Sequence, residues 1–139
     1  MIKKVLFLIP PSPDKRNIIR QTDCSHEAKA GYLWHPYDFQ IISALTNEVE
    51  QVSFIDGTAD RLNEKEFVNQ CSKENDSDVI IMALGSAAWS SDLYYFDKVR
   101  KLFDGSTLLV LGDIFLESPF ARKILDHGAH GIVYKPHFV

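Results

Sequence analysis

The run Lys3-Lys4-Val5-Leu6-Phe7-Leu8-Ile9, stopped by Pro10-Pro11, constrains this chain most. Five consecutive apolar residues closed by prolines read as a strand covered on both faces, with a loop at its carboxyl end. That loop runs polar to about His35, where helical sequence begins. Strand-to-helix loops ordinarily take ~2–6 residues. A long first loop at the carboxyl end of a strand is where an open α/β sheet builds a ligand site.

Four more strand-like runs follow: Gln51–Ile55, Asp78–Leu84, Thr107–Leu111 and Gly131–Tyr134. Val79–Leu84 and Leu108–Leu111 are continuously apolar, as doubly covered strands are. Gln51–Ile55 alternates, which predicts an edge strand. Helical periodicity fills the gaps. One stripe (Phe39, Ile41, Ile42, Leu45) runs from about Pro36 to Asn47, and a weaker helix from about Asn63 to Lys73. Leu93, Phe96, Val99, Leu102 and Phe103 make a strong stripe, with Ser90 or Ser91 as the expected cap. Phe120, Ile124 and Leu125 mark a last helix, with Ser118 as its cap, Pro119 at its first position and Gly128 at its end.

The alternation predicts an α/β fold of the flavodoxin-like (Rossmann-like) kind: three αβα layers around a five-stranded parallel sheet of order 2-1-3-4-5. The strand order reverses between strands 1 and 3, so ligand contacts are expected from the loops after strands 1, 3 and 4. At 139 residues and 45% hydrophobic the chain suits a single domain over 1–139. Its formal net charge of −4, with no basic cluster, argues against nucleic acid. Cys24 and Cys71 show no paired spacing, so a reducing cytoplasm is the expectation. The first apolar run is too short for a membrane span or signal-peptide core.

The loop after strand 3, Gly85-Ser86-Ala87-Ala88-Trp89-Ser90-Ser91, offers small residues and hydroxyls to a large ligand. After strand 4, Gly112-Asp113 precede Ile114, Phe115 and Leu116, which either pack or face an apolar ligand. The first loop holds His26, His35, Tyr32 and Trp34. Cys24, His26 and His35 match no standard metal spacing. No phosphate-loop, nucleophile-elbow, zincin or dinucleotide fingerprint is present, and no catalytic triad context.

With these segments in order, the chain resembles the N-terminal cobalamin (vitamin B12)-binding domain of radical S-adenosylmethionine enzymes over nearly its whole length. The resemblance rests on Leu6-Phe7-Leu8-Ile9-Pro10-Pro11, on the proline-started helix Pro36–Leu45, and on Val52-Ser53-Phe54-Ile55-Asp56. Asp78 to Ser86 and Leu108-Leu109-Val110-Leu111-Gly112 complete it. It implies a corrin cradled at the carboxyl end of the sheet, its nucleotide tail running between sheet and helices. Carried over by position, Pro11, Ser12, Tyr37, Gly85, Ser86, Trp89, Gly112, Asp113 and Ile114 are the implied cofactor contacts. No residue is implied to be catalytic or to bind a metal.

The sequence departs from the pattern it resembles at three places. Asp113 stands where a second glycine is common. Asp23-Cys24-Ser25-His26 misses the DxHxxG spacing of histidine-ligating cobalamin domains. The CxxxCxxC motif is absent, so the iron–sulfur cluster and S-adenosylmethionine are expected in a further domain of the same parent chain. That parent is expected to be the enzyme, a methyltransferase or a cyclase of the anaerobic magnesium-protoporphyrin ester type. The closing run Gly128–Pro136 is also similar to response-regulator receivers. Ile9-Pro10-Pro11 and Leu84-Gly85 stand where receivers hold their acidic pair and phosphorylated aspartate. A pseudo-receiver or other non-catalytic module is therefore the alternative.

Overall fold

The computed structural model describes residues 1–20, 36–45 and 48–134, with Leu45 by its backbone only. Five strands run through Lys4–Ile9 (β1), Gln51–Asp56 (β2), Val79–Ala83 (β3), Thr107–Leu111 (β4) and Gly131–Ile132 (β5). They form one all-parallel sheet of order β2-β1-β3-β4-β5. The expected flavodoxin-like topology is therefore the observed one. The helices among the described residues are Tyr37–Leu45 (α1), Glu64–Ser72 (α2), Trp89–Leu102 (α3) and Ser118–Asp126 (α4).

Strand alternation divides the core into two layers. Leu6 and Leu8 of β1, Ile80 and Met82 of β3, and Leu108 and Val110 of β4 face α2, α3 and α4. There they pack with Phe67, Cys71, Phe96, Val99, Phe103 and Ile124. Val5, Phe7, Val79, Ile81, Ala83 and Leu111 face the other way, around Phe39 of α1. The continuous apolar runs are thus strands with both faces covered. β2 is the edge strand its alternation predicts. Its Val52 and Phe54 stay exposed, although Phe54 meets Phe39 edge-on at 5.7 Å.

Two helix starts differ from expectation. Neither Ser90 nor Ser91 caps α3. A 3-10 turn at Ser86–Ala88 feeds directly into the helix, and Ala88 occupies the cap position without a side-chain bond. Likewise Glu117, not Ser118, precedes α4, because a 3-10 turn at Asp113–Leu116 closes on it through Glu117 N–H to Ile114 O. Ser118 is the first helical residue and Pro119 the second. By contrast, Asn63 caps α2 in a full capping box with Glu66. β5 is shorter than expected, although Val133 N–H still reaches Val110 O at 2.8 Å. Residues 46 and 47 of the expected first helix lie outside the described residues.

Candidate functional site

At the carboxyl edge of the sheet the strand ends open onto a cleft on the α1 side. Ile9, Ala83 and Leu111 end β1, β3 and β4 there, and Pro36 and Phe39 bring the start of α1. Ile18 and Ile19 add apolar wall from the segment after β1, and both are buried. The cleft therefore sits at the reversal point between β1 and β3, where the topology places a ligand crevice. Its polar lining is Arg20, Asp38, Asp56 and Thr58.

Arg20 organises this edge. Its side chain is 1% exposed and forms a bidentate pair with Asp92 of α3, which is 0% exposed. Nε donates to Asp92 Oδ2 at 2.7 Å and Nη2 to Oδ1 at 2.8 Å. Nη1 donates to Thr58 Oγ1 at 2.9 Å and to Ser12 Oγ at 3.2 Å. The Thr58 hydroxyl donates its single proton to Pro10 O at 2.9 Å. Ser12 is therefore the donor in the 2.7 Å contact between the two hydroxyls. Gly85 N–H completes the set by donating to Asp92 Oδ2 at 2.9 Å. The Arg20–Asp92 pair thus ties together the loops after β1, β2 and β3 and the first turn of α3. Burial pushes the Asp92 carboxyl upward, and the Arg20 charge and hydrogen bonds oppose that push. The two-point geometry is that of an ion pair.

Asp56 ends β2 at the rim of the cleft. Its Oδ1 accepts from Thr58 N–H at 3.0 Å and Ala59 N–H at 2.8 Å. Desolvation raises its carboxyl above the usual range, and those two N–H groups and the Arg20 charge pull it back in part.

None of the nine residues implied by the resemblance lines the cleft, and Trp89 and Ile114 pack on the other face of the sheet. Pro11 and Ser12 lie in the loop after β1, Ser12 within the Arg20 network. Tyr37 is exposed at the start of α1. Ser86 is exposed and donates to Asp113 Oδ2 at 3.1 Å, which joins the loops after β3 and β4. Asp113 is thus bonded within the chain. Trp89 is partly buried, edge-on to Phe115 at 6.2 Å and Phe120 at 5.2 Å. Ile114 and Phe115 are core residues, whereas Leu116 is exposed.

The two glycines are explained by the chain's own packing. Gly112 has φ +152°, and a Cβ there would stand 1.8 Å from Leu84 O. A Cβ on Gly85 would meet Arg20 Cγ at 3.0 Å. The Cys24, His26, Tyr32, Trp34 and His35 positions lie outside the described residues. Among the described residues no group of three His, Cys, Asp or Glu side chains is placed to hold a metal ion. No helix among them is long and apolar enough to cross a membrane.

Sequence reasoning passed over Arg20, Thr58 and Asp92, and gave Asp56 only as the end of a strand motif. Asp92 carried a readable signal: it shares the apolar stripe of α3 with Phe96, Val99 and Phe103. Ile18-Ile19 ahead of Arg20, an apolar pair in a polar loop, carried another. No family model, curated protein or solved structure matches the chain.

Proposed function

We propose that the chain is a cobalamin-binding domain that holds the corrinoid at the carboxyl end of its sheet. The observation that carries the reading is the cleft at the β1/β3 reversal point. Its walls of Ile9, Phe39, Ala83 and Leu111 are apolar, as a ligand crevice requires, and Asp38 and Asp56 bring carboxyl groups to the same place. The fit is with the cleft rather than with an open glycine cradle, since Leu84 and Arg20 occupy the space beside Gly112 and Gly85. Pro11, Ser12, Tyr37, Ser86 and Asp113 would meet the cofactor outside the cleft, on the loops and helix start that frame it.

A bound corrin supplies carrier chemistry at its cobalt to a neighbouring domain. Within this reading the neighbour is a radical S-adenosylmethionine domain of the same parent polypeptide, which carries the iron–sulfur cluster and the reaction. This chain's own residues bind and orient, and the Arg20 network keeps the loops around the cleft in one arrangement.

Uptake tests the reading. The purified chain is mixed with hydroxocobalamin, passed through gel filtration and scanned in the visible. Corrin absorbance is expected to coelute with the protein. Protein free of corrin at high concentration overturns the reading in favour of a non-catalytic interaction module. Ser86 is the cleaner position for a blocking variant, because a bulky residue at Gly85 also presses on Arg20. Ser86→Trp is expected to reduce uptake with an unchanged melting temperature.

A further inference from the structure

We infer that the run Ile18-Ile19-Arg20 is an autoinhibitory plug: it fills the crevice at the β1/β3 reversal point, and a corrinoid enters by displacing it. The inference rests on the cobalamin reading and adds to it how the same site is regulated. What is left open in the cleft measures about 30 Å3, room for about two waters. Pockets for cofactors ordinarily run to ~300–1,000 Å3. The chain's own residues occupy the place instead. Ile18, Ile19 and Arg20 are all buried, and all three line the cleft. Arg20 also closes the glycine side, since a Cβ on Gly85 would stand 3.0 Å from its Cγ. Once the run withdraws, the cleft joins the space beside Gly85, across the ends of β1, β3 and β4.

The fastening of the plug is of a releasable kind. Arg20 holds on through polar bonds to Asp92, Thr58 and Ser12. A buried ion pair gains little net stability, because the cost of desolvating both charges offsets their attraction. Withdrawal returns the guanidinium to water and lets water into the crevice beside Asp92. Neither charge is then stranded, as one would be after a single substitution. The connection also holds strain. Asp14 and Lys15, between β1 and the plug, sit in succession at φ 54° and 55°, a left-handed conformation that L residues seldom adopt. Strain of this kind gathers at segments that switch between arrangements.

A reversible lock tests the plug. A Cβ at position 85 would lie 3.7 Å from Arg20 Cβ, a separation that a disulfide spans. Arg20→Cys/Gly85→Cys is combined with Asp92→Asn, which removes the stranded charge, and with Cys24→Ser; Cys71 is buried and stays silent. The protein is oxidised with diamide or reduced, desalted, and mixed with cyanocobalamin, and uptake is timed by gel filtration. The oxidised state is expected to take up corrin about tenfold or more slowly than the reduced state, because the competent conformation is withheld. Reduction is expected to restore the rate. Equal, measurable rates in the two states overturn the plug and leave the cobalamin reading standing. Ile19→Cys with Cys24→Ser reads the same motion with Arg20, Gly85 and Asp92 intact, and decides where the first variant does not fold or take up corrin. Its buried thiol is expected to alkylate several-fold faster once cyanocobalamin is bound. Unchanged or slower labelling overturns the plug. A wild-type chain and a reduced variant that both stay free of corrin overturn the cobalamin reading, and this inference falls with it.

Discussion

Arg20 and Asp92 are 72 residues apart in sequence and in two-point contact in the fold. Both charges are out of water, so each depends on the other. Removing one partner leaves the other buried and uncompensated, at a typical cost of about 3–5 kcal/mol. Arg20→Met is therefore expected to lower stability by about that amount, read from the urea midpoint at a constant slope. The double variant Arg20→Met/Asp92→Leu is expected to recover only part of the loss. Its apolar pair removes both charges but strands the Gly85 N–H and leaves Thr58 and Ser12 without their cation. A single variant as stable as wild type would show that the pair contributes nothing net. Gly112 works at the same scale without charge: at φ +152° against Leu84 O, no other residue fits without moving the end of β4.

At the scale of elements, the amino-terminal edge of the sheet has its own fastening. Asp78 Oδ2 accepts from Lys3 N–H at 2.7 Å and Lys4 N–H at 2.9 Å, pinning the start of β1 just ahead of β3. Those two donors, Lys4 first, hold the carboxyl below its usual 3.8. A carboxyl lowered in the folded state adds stability above its unfolded value and loses it as pH falls through the folded one. The stability gap between wild type and Asp78→Asn is thus expected to be full at pH 6 and to shrink below about pH 4. Thermal melts from pH 3 to 7 measure it, and a gap independent of pH would remove the carboxylate from the explanation. Elements were the most legible level of this chain. Apolar runs and 3.6-residue stripes record which faces are buried, so the strands, helices and sheet order could be read directly. The starts of α3 and α4 could not, because 3-10 turns deliver the chain into both helices and leave the nearby serines no capping task. The cleft was legible by its place at the reversal point. Its polar residues were not, since Arg20, Asp56 and Asp92 meet only through tertiary folding.

At the scale of the whole molecule, the two faces of the sheet differ in how they are covered. Among the described residues three helices cover one face and α1 the other, and β2 leaves Val52 and Phe54 exposed at the edge. Cys71 reports on the three-helix side. It is fully buried on α2 within the larger core cluster, and burial pushes its thiol up to about 12. A thiol both inaccessible and protonated reacts only when the structure opens. Two kinds of opening are available. If α2 peels away alone, alkylation of Cys71 rises with only a shallow dependence on urea. If the layer opens as a unit, the labelling free energy follows the global unfolding line. The second is expected, because Phe67 and Cys71 of α2 share one cluster with Phe96 of α3, Ile124 of α4 and residues of four strands. Alkylation with iodoacetamide, read at the Cys71 peptide by mass spectrometry across a urea series, distinguishes the two. A slope well below that of global unfolding would mean that α2 is an independently opening unit, and that the core on this side is carried by α3 and α4 alone.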